Sequence, residues 1–181
     1  MIDLEKKIAK DTLKLLTKKS WNKISIDAIL KNKKTRKINI KSKIDLLKNI
    51  NRYVDDLLIS EKKSLEKSST KDMLFEVIMA RFDILQENRE SFIYIYKVFK
   101  KTPQNFIALL PSFLESMIVT AELSKFKVNG LKGSVRLKGL MMVYFITFLQ
   151  WIDDTSSSLE KTMTELDKNL DHAEKFGKLL S

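Results

Sequence analysis

Cysteine is absent, histidine occurs once, and the 181 residues include only four glycines and two prolines. Without cysteine there is no disulfide, no thiolate nucleophile and no cysteine-ligated metal. So few glycines and prolines leave long uninterrupted segments, which favours helices over a β-rich or loop-rich fold. No phosphate-binding glycine loop, nucleophile elbow or zinc-ligand spacing occurs, so an enzyme, a metal or a cofactor is not expected. The lack of cysteine fits a reducing cytoplasm, and no cationic start followed by an apolar block marks a signal peptide. Long apolar runs are scarce too. The longest nearly uncharged one, "GLMMVYFITFLQWI" (139–152), is too short to cross a bilayer and reads as a buried core helix.

Acidic residues are scarce at one end. Residues 1–52 hold 16 Lys and Arg against 5 Asp and Glu, a net +11, while residues 53–181 hold 18 of each. The whole excess therefore sits in the first 52 residues. Lysine outnumbers arginine 29 to 5, but compositional bias alone would not confine the imbalance to one end. Segregated charge of this kind is the footprint of a polyanion-binding segment. Its densest part is "LKNKKTRKIN" (30–39), where Lys31, Lys33, Lys34, Arg36 and Lys37 follow one another with no carboxylate between them.

Apolar spacing gives a series of helices and no strand. Residues 2–18 put Leu4, Ile8 and Leu15 on one face, with Leu16 at its edge. A short second helix follows over 24–31, with Ser25 as its cap. Residues 42–60 form a third, capped by Ser42, whose apolar face is Ile44, Leu47, Ile50, Val54, Leu57 and Leu58. The polar stretch 61–72 is the expected seam between a basic domain, 1–60, and a larger domain, 61–181. Further helices are expected over 71–88 and 89–101. Another spans 103–124, where Pro111 should kink or divide the segment. "KFKVNGLKG" (125–133) reads as a turn, 134–152 as the most apolar helix, and 157–178 as the last, with Ser157 and Glu160 as a capping box.

Few side chains offer chemistry. His172 reads as a surface group near a helix C-terminus, where the dipole favours it. Asp153 and Asp154 read as negative charge stabilising a helix start. The glycines of "GLKG" (130–133) have the spacing of a nucleic-acid clamp, but that module needs a sheet. Met79, Phe82, Phe92, Phe113, Met117, Met142 and Phe145 are core residues by default, and also the candidates for an apolar pocket. On the last helix Leu159, Met163, Leu166 and Leu170 make a narrow seam suited to packing against another helix.

The order helix, short helix, connector, helix is that of a helix-turn-helix module with a support helix. "SKIDLL" (42–47) resembles the "SKxxLL" of TetR-type regulators, and "WNKISIDAI" (21–29) is similar to the stretch entering their second helix. "LFEVIMARFDILQENR" (74–89) and "QWIDDTSSSLEKTMTELDKNL" (150–170) resemble alphaproteobacterial TetR-like proteins. Those are related to accessory proteins of coenzyme Q biosynthesis, which keep a TetR-like fold and bind lipid. From Ile29 to Ser42 the chain is shorter than the family pattern and lacks its turn glycine. A shortened recognition helix presents fewer side chains to base edges, whereas phosphate contact survives the loss.

The resemblance implies an all-α, TetR-like chain: an N-terminal helix-turn-helix domain and a C-terminal ligand and dimerisation domain. It implies DNA contacts from Lys31, Lys33, Lys34, Thr35, Arg36, Lys37, Lys41 and Lys43, with Lys43 on a phosphate at a helix N-terminus. It also implies a homodimer through the last two helices, using Leu159, Met163, Leu166 and Leu170. Three functions stay open. One is a transcriptional regulator that binds DNA and an apolar effector. Another is a lipid-binding accessory protein of ubiquinone biosynthesis, with no sequence-specific DNA binding and its basic end touching an anionic membrane. The last is a helical interaction protein with neither ligand.

Overall fold

A computed structural model of the chain describes residues 3–30, 39–61, 69–175 and 177. Among these residues there are eight α-helices and no strand. They are α1 (Asp3–Leu16), α2 (Ile26–Leu30), α3 (Lys43–Ser60), α4 (Thr70–Gln86), α5 (Arg89–Lys101), α6 (Pro103–Leu123), α7 (Gly130–Asp153) and α8 (Glu160–Lys175). A single 3₁₀ turn, Trp21–Lys23, lies between α1 and α2. The chain divides into two compact units: Met1–Leu57 with Ile84–Ser112, and Leu58–Asp83 with Phe113–Ser181. The expected seam is 60/61, in the polar stretch after α3; the division falls at 57/58, inside α3. However, residues 84–112, expected in the larger domain, belong with the N-terminal helices.

In the first unit α1 buries Ile8, Ala9, Thr12, Leu13 and Leu16. The expected face is rotated: Leu4 and Leu15 are only half-buried. Thr12 can enter the core because its hydroxyl donates to the Ile8 carbonyl at 2.7 Å, leaving no unmet donor. On α3 the core is Leu46, Leu47, Ile50, Tyr53, Val54 and Leu58. Ser42 caps α3 as expected. Its hydroxyl accepts from the Asp45 amide at 3.2 Å, and the Asp45 carboxylate takes the Lys41 and Ser42 amides in return. Long-range bonds then lock the unit. Asn49 donates to the Glu5 carbonyl, Ser91 to the Leu13 carbonyl and Asn51 to the Ser112 carbonyl.

The second unit contains most of the aromatic core. Phe82 stacks on Tyr144 at 5.4 Å between ring centres and on Trp151 at 6.2 Å, and Phe148 lies 5.5 Å from Trp151. α6 runs unbroken through Pro111, which is exposed, as is Ile107 one turn earlier. The carbonyl that proline leaves without a partner is on the wet side of the helix, where water can satisfy it. α7 starts at Gly130, one turn before the expected 134. A Cβ on Gly133 would lie 2.0 Å from the Val128 carbonyl carbon, so only glycine lets the incoming chain cross so close.

The start of α8 differs from expectation. Ser157 does not cap it; the buried Asp154 does. Its carboxylate accepts from the Thr162 amide at 2.9 Å, the Thr162 hydroxyl at 2.8 Å and the Ser156 amide and hydroxyl at 3.1 and 2.6 Å. Burial opposes ionisation, but these bonds outweigh it and hold the carboxyl well below the usual range. A second link joins α7 and α8: Asn169 donates to the Thr147 hydroxyl at 3.3 Å. Seven residues back along α7 correspond to seven forward along α8, so the two helices are antiparallel. Lys71 at the start of α4 pairs with Asp167, at 2.8 Å, and with Asp171.

Candidate functional site

Charge is not shared evenly by the two units. The first holds 20 basic and 9 acidic side chains, a net +11; the second holds 14 of each. Lys7, Lys10 and Lys14 are exposed at successive turns of α1, and Lys18, Lys19, Lys23 and Lys41 are exposed beyond it. Lys7, Lys14, Lys18, Lys19, Lys23 and Lys41 form no ion pair among the described residues. Lys10 lies 5.8 Å from the Tyr53 ring centre, and Lys6 is neutralised by Asp56 at 2.6 Å.

Of the eight DNA-contact candidates, Lys31, Lys33, Lys34, Thr35, Arg36 and Lys37 lie outside the described residues. Lys41 is exposed beside the α3 cap. Lys43 needs correction. Its ammonium donates to the carbonyls of Trp21 at 2.9 Å and Asn22 at 3.1 Å, and sits 5.7 Å from the Trp21 ring centre. Two of its three N–H donors are used inside the chain. These contacts tie the 3₁₀ turn to the start of α3 and leave one N–H donor for any partner outside the chain.

The apolar pocket candidates are not one cluster. Phe113 and Phe145 meet edge to face at 5.4 Å, and Met117 and Phe82 are buried. Met79 is half-buried, and Phe92 belongs to the first unit. Met142 is 65% exposed and faces solvent. Near the stack lies a charge the sequence did not flag: Arg81 is only 2% exposed, with its guanidinium 5.6 Å from the Tyr144 ring centre.

The seam of α8 also changes meaning. Leu159, Leu166 and Leu170 are buried within the single chain, and only Met163 is exposed. Those leucines face the chain's own core because α8 is clamped to α7 by Asp154 and Asn169. Exposed apolar side chains recur along α7 instead, where Leu131, Val135, Met142, Ile146 and Leu149 occur at spacings of four, seven, four and three. The uncharged run 139–152 is therefore not wholly buried. α6 and α7 are both long and apolar enough to cross a membrane by length and composition, a weak sign on its own. Among the described residues no group of three or more His, Asp or Glu could hold a metal ion, and His172 is exposed. No model of a known protein family matches the chain, and no curated protein matches it.

Proposed function

We propose that the chain is a cytoplasmic, TetR-like transcriptional regulator whose basic first unit binds duplex DNA. The observation that supports this is the confinement of the entire +11 excess to the first unit, together with lysines there that no carboxylate neutralises. Such a surface gains free energy by releasing counterions from a polyanion. An apolar effector would bind in the second unit beside Phe113, Met117 and Phe145. A second copy would cover the exposed Met142, Ile146 and Leu149 of α7 and Met163 of α8, with the same residues meeting across a two-fold axis. The binding test is fluorescence anisotropy with a duplex taken from upstream of the protein's own gene. Wild type should bind in a salt-sensitive way and the triple variant Lys33→Glu, Lys34→Glu, Arg36→Glu should not. Salt-insensitive wild-type binding, or none, would end this reading.

A second reading has one observation in its favour. Lys43, the phosphate contact implied by the family resemblance, is engaged inside the chain. That suits a lipid-binding accessory protein of ubiquinone biosynthesis that keeps the fold but has turned a DNA-contact side chain to internal use. Native mass spectrometry of the purified protein should then show a bound isoprenoid or phospholipid; a ligand-free spectrum counts against it.

A further inference from the structure

The second unit sums to zero charge, but its charges are sorted. From Leu123 to Ile152 there are five cations and no carboxylate; from Asp153 to Ser181 there are seven carboxylates and four lysines. The cations gather at the α6–α7 corner. Lys125, Lys127, Lys132 and Lys138 are exposed, and none forms an ion pair among the described residues. Arg136 is half-buried and donates to the Lys127 carbonyl at 3.3 Å, so it braces the corner. Between the lysines stand two apolar side chains, Leu131 at 91% exposure and Val135 at 54%. The pairings of Asp154 with Thr162 and Thr147 with Asn169 put Lys175, the last residue of α8, opposite residue 141. Residues 130–140 thus run on past the end of α8 by roughly 15 Å.

Stability does not explain this arrangement. Lys132 stands in the first turn of α7, where the helix dipole favours an acid. Lys125 has a φ of 56°, in the left-handed region where glycine is preferred. It is the second residue past α6, and the Phe126 amide returns to the Ala121 carbonyl at 2.8 Å to close the helix end. A cation is thus held where glycine would be less strained, which points to a use for the side chain.

We infer that the α6–α7 corner docks on an anionic lipid bilayer, with Leu131 and Val135 entering the headgroup boundary and Lys125, Lys127, Lys132 and Lys138 over the lipid phosphates. A nucleic acid would reward the lysines but give nothing for an exposed leucine at the centre of the patch. A bilayer interface rewards both. This surface belongs to the second unit and does not rest on the DNA-binding reading.

Leu131→Trp supplies a direct probe, since Trp21 and Trp151 are both buried. Its emission should shift to the blue on vesicles of phosphatidylglycerol and phosphatidylcholine, and not on phosphatidylcholine alone. In co-sedimentation, the first-unit variant Lys33→Glu, Lys34→Glu, Arg36→Glu provides a background in which competing binding by the basic first unit is weakened, against which substitutions at the corner are compared. Each cation removed from the corner should weaken binding roughly fivefold, and Lys132→Glu with Lys138→Glu should abolish it. Lys125→Gly should raise the melting temperature while weakening vesicle binding, a split that a purely structural lysine would not give. An emission maximum unmoved by anionic vesicles would overturn the inference. So would a blue shift of equal size on duplex DNA, which would make nucleic acid the occupant.

Discussion

The first unit carries its charge openly, with 20 basic against 9 acidic side chains over one compact body. The second carries 14 of each, and its balance conceals two opposite populations on consecutive helices. A sum of zero is therefore not a neutral surface. Where carboxylates and ammonium groups pair, as Lys71 does with Asp167 and Asp171, charge holds helices together. Where they stand apart, as at the α6–α7 corner, the ammonium groups are left exposed with no ion pair among the described residues. Both units contain paired and exposed lysines, and what separates the two kinds is whether an acid is within reach.

The largest expected effect tests the open charge of the first unit. Reversing Lys33, Lys34 and Arg36 to glutamate should lower duplex affinity by two orders of magnitude or more at about 0.1 M salt, since the phosphate contacts supply most of the binding. Equal affinity for variant and wild type in an anisotropy titration would erase the contrast between the units.

Next comes the internal charge of the second unit. Asp154→Ala should destabilise the protein by about 2–4 kcal/mol, because it leaves a buried cap with unmatched donors; urea unfolding measures this directly. The depressed carboxyl also sets a pH dependence. Its contribution is complete above the unfolded value, near 4, and is lost as pH falls towards its lower folded value. The melting-temperature gap between wild type and Asp154→Ala should therefore narrow in strong acid. A gap that widened below pH 4 would contradict the assignment.

A smaller effect concerns association. Met142→Glu places a charge at a site already 65% exposed, so the fold should survive while a dimer separates; sedimentation should give the monomer mass. Leu166→Glu, by contrast, should unfold the second unit, because Leu166 is buried within one chain. Both variants remaining folded dimers would remove α7 and α8 from the contact.

The smallest effect is at Lys71. Lys71→Met should cost no more than about 1 kcal/mol, since both aspartates remain partly exposed and salt screens the pair. Hydrogen bonds to Asp167 and Asp171 hold the ammonium above its ordinary range, so its contribution is complete below the unfolded value, near 10.4, and fades only in stronger alkali.

Much of the architecture was legible because long helices advertise themselves through spacing. Ser42 could be located as a cap from its type and place, and the apolar stretches gave α3 to α8 within a turn. What spacing could not supply was direction. Leu159, Leu166 and Leu170 form as regular a seam as any dimer contact, but the fold turns that seam inward. The cause is Asp154, eight residues from its partner Thr162 and outside any local capping pattern. The run 139–152 reads as buried because it is apolar; yet Met142, Ile146 and Leu149 share one face of α7 and are exposed. Lys43 matched the family motif in sequence, but only coordinates could show the Trp21 and Asn22 carbonyls receiving its ammonium. The cations of the α6–α7 corner escaped notice because a count over 53–181 cancels them against the acids of α8.

The most direct test of the first unit's role is the salt dependence of duplex binding by the intact protein. If about five lysines neutralise phosphates, log Kobs should fall with log salt at a slope of roughly −4 to −5. A slope near zero, or no binding at low salt, would mean that the unpaired lysines of the first unit hold no polyanion.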